Sequence, residues 1–140
     1  LLAKENGARR CVSLAVSGPF HTRLMKPAGE ALKEWFSRLT FAPMQVPVLF
    51  NCLGREKKAE DSIADLLVRQ VQSSVRMEDI IRRLLELGVD TFVEIGPGKT
   101  LSGFVRKTAK AAGAENLNLF NMETEEELRQ FLDFYRTQTR

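Results

Sequence analysis

The sequence predicts an α/β fold built around a parallel sheet, and three features of its 140 residues carry that expectation. Short β-branched apolar runs alternate with stretches of helical periodicity, the pattern of strand–helix–strand units. Glycine-bearing turns close two of those runs, at Ser17-Gly18-Pro19 and Gly96-Pro97-Gly98, and such folds keep their sites at strand ends. No low-complexity linker divides the chain, and 44% hydrophobic with 28% charged residues suffices to bury a core. Helices on both faces of the sheet and right-handed crossovers are the expected arrangement.

Taken in order, residues 11–16, CVSLAV, follow the turn-prone pair Asn6-Gly7 and read as a strand that Ser17-Gly18-Pro19 stops. From Leu24, the apolar residues Leu24, Met25, Ala28, Ala31, Leu32, Trp35, Phe36 and Leu39 recur at helical spacing. Pro27 falls in the first turn, where a missing N–H costs nothing. Pro43 and Pro47 flank a short run, Val46 to Phe50, that reads as a buried strand, and Gly54 to Glu60 reads as a charged loop. Asp61-Ser62 can cap a helix carrying Ile63, Leu66, Leu67, Gln70 and Val71. A helix over Met77 to Leu87 ends at Gly88, as a left-handed cap requires. Val89 to Ile95 is a strand, Thr100 to Ala112 a helix, and Leu117 to Phe120 a last strand. Glu123 to Tyr135 is an amphipathic helix with acidic residues in its first turn, where the helix dipole favours them.

Composition removes whole classes. The balance of apolar and charged residues is not that of a disordered tail, and no repeat indicates a solenoid. No apolar run approaches the roughly 18 residues of a membrane span, and LLAKENGARR lacks the features of a secretory signal. The absence of an initiator Met points to a start inside a longer polypeptide. Net charge is +3, a mild excess that names no partner, and the basic residues are not interleaved with aromatics as a nucleic-acid platform requires. Cys11 and Cys52 are too few for a disulfide framework and suit a reducing, cytoplasmic setting.

Few residues carry chemistry. His21, the single histidine, stands just after a strand and can serve as a general base, or can simply bond nearby backbone at a helix start. None of the serines sits in a recognisable nucleophile motif, so any nucleophile must come from elsewhere. Glu94 to Thr100 resembles the end of a phosphate-binding loop, but Val93 occupies the position of its first glycine. That leaves an anion site at a helix N-terminus, or a tight turn that lets two elements pack closely. Cys11, His21 and Cys52 have no metal-ligand spacing; each cysteine is expected to be a small buried residue. Asn51 is either a site residue or a polar turn-former, and Gln70, on an apolar stripe, needs a hydrogen-bond partner. Trp35 and Phe36 are expected in the core.

Val16-Ser17-Gly18-Pro19-Phe20-His21-x-x-Leu24-Met25-Lys26-Pro27-Ala28 resembles the histidine segment of malonyl-CoA:acyl carrier protein transacylases. Pro47-Val48-x-x-Asn51, Leu67-Val68-Arg69-Gln70 and Glu94-Ile95-Gly96-Pro97-Gly98-Lys99-x-Leu101-x-Gly103 resemble later landmarks of that family, in order. The resemblance covers nearly all of the chain but only the C-terminal half of the family pattern. It implies a transferase of fatty acid synthesis. A serine in a G-H-S-x-G elbow takes malonyl from malonyl-CoA and passes it to the phosphopantetheine thiol of acyl carrier protein. By the same resemblance His21 is the catalytic residue that activates this serine. The backbone carbonyl of Gln70 orients the imidazole, and Phe20, a bulky neighbour of the histidine, selects malonyl over a branched acyl group. No cofactor, metal, nucleic acid or membrane is implied.

The same resemblance divides the chain. Residues 1–17 look like the end of a ferredoxin-like small subdomain, and 18–140 like the C-terminal part of an α/β acyltransferase core. The elbow serine, the arginine for the malonyl carboxylate and the oxyanion donors belong to the family's N-terminal half, a missing partner. The chain alone is therefore expected to be inactive. A piece of a multidomain polyketide or fatty acid synthase and a non-catalytic carrier-protein-binding fragment are the alternatives.

Overall fold

A computed structural model describes residues 2–13, 16–114 and 116–138. A short helix α1 (Leu2–Glu5) is followed, after a loop, by a 3-10 turn (Arg23–Met25) that leads directly into α2 (Lys26–Phe36). A two-residue hairpin, β1 (Leu49–Phe50) and β2 (Arg55–Glu56), precedes α3 (Ile63–Val71) and α4 (Met77–Glu86). Then come β3 (Thr91–Ile95), α5 (Thr100–Ala111), β4 (Asn118–Met122) and α6 (Glu125–Gln138).

β3 and β4 run parallel, Thr91 opposite Asn118 and Ile95 opposite Met122, with α5 as the connecting helix. Side chains alternate across a strand, so neighbours on β4 face opposite ways. Phe120 packs its ring on Phe131 and Phe134 of α6, at 5.3 and 4.8 Å between centroids, while Asn121 bonds Ser102 of α5. Helices thus cover both faces of the parallel pair, as the sequence predicts.

Local signals place the helix ends. Ser62 accepts from the Asp65 N–H and caps α3. Gly88, at φ +79°, stops the chain just past α4. Thr124 and Glu127 form a reciprocal box, the Thr124 hydroxyl accepting from Glu127 N and the Glu127 carboxylate from Glu123 N and Thr124 N, so α6 starts at Glu125 rather than Glu123.

Burial concentrates in two places. Phe50, Cys52 and Leu66 pack together with Leu53, Ile63 and Leu67 beneath α3. Ile81 of α4, 2% exposed, and Val105 and Ala109 of α5 are buried as well, and α4 packs against α5. Arg83 ties α4 to β2 by donating through Nε to both Glu56 carboxylate oxygens, at 3.2 and 3.0 Å.

Several expectations are corrected. Among the described residues of 11–16 no strand forms: Cys11, Val12, Ser13 and Val16 are exposed and belong to no ladder, and Leu14 and Ala15 lie outside the described residues. A strand is stable only when a neighbour takes its backbone groups, and β-branched composition cannot supply that neighbour. The strand expected over Val46–Phe50 shrinks to Leu49–Phe50, because Pro47 has no N–H to pair; Val46 is 67% exposed. Its partner β2 lies inside the expected Gly54–Glu60 loop, and this pairing is antiparallel, not part of one parallel sheet. Trp35 is 65% exposed instead of core. The inward stripe of α2 runs through Ala28, Gly29, Leu32 and Phe36, with Gly29 so close to α3's end that a Cβ would meet Gln72 Nε2 at 2.9 Å. Trp35 is left beside that stripe, with the Arg38 guanidinium 5.5 Å over its ring. Cys11 is exposed as well; only Cys52 is buried.

Candidate active site

The last four carbonyls of a helix have no partner within it and carry its negative dipole end. At the end of α3, two of them meet one residue. The Gln70 carbonyl lies 2.9 Å from His21 Nδ1, and the Val71 carbonyl accepts the His21 backbone N–H at 3.0 Å. A carbonyl only accepts, so Nδ1 carries the hydrogen and the neutral ring keeps its lone pair on Nε2. His21 adopts φ +60°, a left-handed conformation costing about 1–2 kcal/mol outside glycine. The two bonds to α3, each worth about 1 kcal/mol, offset that strain.

The preceding loop is fixed from within. Thr22 Oγ1 donates to the Pro19 carbonyl at 2.8 Å and accepts from Leu24 N at 3.3 Å, capping the 3-10 turn. Gly18 leaves room for the Phe20 ring: a Cβ there would sit 3.2 Å from Phe20 Cε2. Phe20 itself is 58% exposed.

His21 opens onto a cleft of about 480 Å³, lined also by Cys52, Arg69, Gln72 and Ser73. Arg76, on the same wall, donates its backbone N–H to the Asn51 carbonyl at 2.8 Å, which fixes the hairpin against the start of α4. The Asn51 Oδ1 is buried without a hydrogen-bond partner among the described residues. An unpaired buried acceptor of that kind costs about 1–3 kcal/mol. The Gln70 side chain is half-buried; what reaches His21 is its backbone.

The glycine turn at 96–98 turns out to hold the chain's own anion. The Glu94 carboxylate accepts from Leu101 N at 3.0 Å and Ser102 N at 2.7 Å, the first-turn donors of α5, and from Asn121 Nδ2 at 3.0 Å. The Ser102 backbone N–H, ahead of Leu101 N–H and the Ser102 and Asn121 side chains, holds the Glu94 carboxyl below the ordinary glutamate range. Gly98 N is taken by Glu123 at 3.1 Å. Of the two readings open for this turn, an external anion site and a tight packing turn, the donors of the first are taken from inside by Glu94, and close packing is what the turn accomplishes. The sequence carried a signal for this: an acidic residue within an apolar strand needs donors.

The structure therefore brings His21 and Gln70 together, sets Phe20 beside the loop, and keeps Cys11 and Cys52 apart as one exposed and one buried thiol. Among the described residues no group of three or more His, Cys, Asp or Glu could hold a metal ion. No helix among them is long and apolar enough to cross a membrane. Sequence reasoning passed over the Val71 carbonyl, Thr22 and the cleft arginines. Of these only Thr22, directly before a helical run, had a legible capping pattern.

No family profile matches the sequence. The malonyl CoA-acyl carrier protein transacylase of Bacillus subtilis is 49% identical over 106 residues, covering 76% of this chain and 33% of that protein. The crystal structure of the Clostridium perfringens malonyl CoA-acyl carrier protein transacylase superposes with a TM-score of 0.86 at 36% identity, over 99% of this chain and 42% of that one. A malonyl-transacylase in complex with its type II PKS acyl-carrier protein gives a TM-score of 0.81 at 32% identity, over 93% and 40%. The chain thus spans about a third of the length of the curated relatives it matches. Over that span, its sequence and its α/β fold are similar to those of malonyl CoA-acyl carrier protein transacylases.

Proposed function

We propose that this chain supplies the histidine-bearing part of a malonyl-CoA:acyl carrier protein transacylase of fatty acid synthesis. The bond from His21 Nδ1 to the Gln70 carbonyl carries this reading, because it leaves Nε2 as a free base. A serine from outside this chain attacks the malonyl thioester of malonyl-CoA while Nε2 takes its hydroxyl proton. The C–S bond breaks, and the imidazolium returns the proton to the departing coenzyme A sulfur. The phosphopantetheine thiol of acyl carrier protein then gives its proton to Nε2 as its sulfur attacks the acyl-serine. The serine oxygen leaves and recovers the proton. No cofactor takes part.

The negative end of α3 supports the imidazolium that forms in each half-reaction, so no buried carboxylate is required behind the histidine. Gln70 is in this account a positioning residue acting through its backbone. Phe20 selects malonyl by filling the volume an α-methyl would occupy, its ring seated over Gly18. Residues 1–17, with α1, are the end of a ferredoxin-like small subdomain, and 18–140 belong to the acyltransferase core. The free cysteines favour a cytoplasmic setting. The chain alone is inactive: it has no serine elbow, and exposed Val16, Leu24, Val46 and Ile95 form apolar surface that further polypeptide would cover.

The test mixes the chain with the serine-bearing portion of a family member and follows malonyl transfer from malonyl-CoA to acyl carrier protein. Transfer by the mixture that disappears with His21→Ala is expected. Transfer by the isolated chain above a His21→Ala control, or a mixture indifferent to that substitution, contradicts the reading.

A further inference from the structure

The His21 cleft carries more positive charge than the transfer chemistry uses. Arg23, Arg69 and Arg76 all line it, and among the described residues no Asp or Glu does. Among the described residues Arg23 and Arg69 have no ion-pair partner. Arginines on α4 and α6 behave differently, Arg82 pairing with Glu78 and Arg129 with Glu125 one turn away. The dipole of α3 accounts for Arg69 in that helix's last turn, but not for Arg23 on the 3-10 turn. Arg76 sits at the N-cap of α4, the positive end of a helix, where a cation is disfavoured and where no side chain caps the backbone. Asp79 offsets this at 3.4 Å, but both side chains are more than half exposed, so the pair contributes little.

Three arginines line one cleft, two of them without an ion-pair partner among the described residues, and like charges gathered in this way favour an anion between them. A phosphate monoester or inorganic phosphate carries about −1.5 to −2 charge and three acceptor oxygens, which suits forked guanidinium donors better than a single carboxylate. We propose that this cleft binds a small phosphate-type dianion, held by Arg23 and Arg69 with Arg76 behind them and the Ser73 and Ser74 hydroxyls as further donors. The site is separate from that of an acyl-bearing pantetheine arm: an extended arm with its thiol at His21 carries its own phosphate far outside this cleft. A bound dianion beside His21 favours the imidazolium over the free base, so occupancy opposes base catalysis at Nε2.

As the single histidine, His21 is the reporter. The full chain is titrated with inorganic phosphate and with pyrophosphate while the His21 imidazole resonances are followed, against sodium chloride at matched ionic strength and against malonate. A saturable shift with the phosphates is expected, weakened at least tenfold in Arg23→Gln and in Arg69→Gln, and unchanged in Arg129→Gln on α6. Each variant is checked for native resonance dispersion, and either arginine variant that remains folded decides the point. A shift matched by chloride, or one surviving both substitutions, overturns the site; malonate binding as tightly as phosphate overturns the ligand class. None of these outcomes depends on malonyl transfer, so the two readings fail separately.

Discussion

His21 Nδ1 and the Gln70 carbonyl oxygen, 49 residues apart in sequence, lie 2.9 Å apart, and the next carbonyl, Val71, takes the His21 N–H. A loop histidine is thereby mounted on the end of a helix by backbone groups alone. The loop's stability and the ring's orientation then depend on residue 21 itself and on the course of α3.

Substitutions at position 21 separate the bond from the backbone strain. His21→Ala loses the side-chain bond but keeps the left-handed φ and its strain, and is expected to destabilise the chain by about 1 kcal/mol, the bond alone. His21→Gly accepts that φ freely and is expected to recover about 1 kcal/mol of the loss. Urea midpoints measure both; equal losses would mean the left-handed conformation is not populated.

At Gln70 the acting group is a carbonyl that every residue possesses. Gln70→Ala should leave the His21 ring resonances in place and change stability by no more than about 0.5–1 kcal/mol, as judged by urea unfolding. A displaced His21 would assign the orienting role to the side chain instead.

Two glycines with similar backbones should respond differently to alanine. Gly54 has φ +72°, and a Cβ there would meet Asp79 Cβ at 2.6 Å; Gly88 has φ +79° with nothing within 4 Å. Gly88→Ala is expected to cost about 1 kcal/mol, the strain alone. Gly54→Ala adds an overpacking penalty and should cost about 3 kcal/mol, because the hairpin and the start of α4 must part. Thermal or urea unfolding distinguishes them.

Glu94 makes stability depend on pH. Its folded carboxyl titrates below the ordinary range, principally through the Ser102 N–H. Its contribution is therefore complete above the unfolded value of about 4.3 and is lost as pH falls through the lower, folded value. Glu94→Gln should flatten the fall of the urea midpoint over that acidic window relative to the unsubstituted chain. An unaltered slope would show that the carboxylate is not bonded to α5 in solution.

Much of this architecture is legible because it rests on local chemistry. Ser62 and Gly88 mark α3 and α4 by capping, and a β-branched run followed by a glycine turn marks β3 and the start of α5. What is not legible depends on partners far away in the chain. Residues 11–16 have strand composition, yet the described ones among them have no ladder neighbour, β2 forms from charged residues because β1 meets them across Gly54, and Trp35 misses the buried stripe of α2 by one position. Glu94 filling the turn at α5 follows from its register opposite Asn121, which spacing cannot reveal. At the candidate site, the meeting of His21 with Gln70 entered only as an implication of family resemblance; periodicity said merely that Gln70 needed a partner. The left-handed φ of His21 and the cleft arginines had no readable pattern at all.

The tautomer of His21 decides whether its ring can act as a base. Long-range 1H–15N correlation of this single imidazole, at about pH 9 where histidine is neutral, reports which nitrogen holds the hydrogen. A protonated, pyrrole-type Nδ1 and a bare, pyridine-type Nε2 are expected from the bond to the Gln70 carbonyl. A ring protonated at Nε2, as free histidine prefers, would leave no base facing outward and would contradict that expectation.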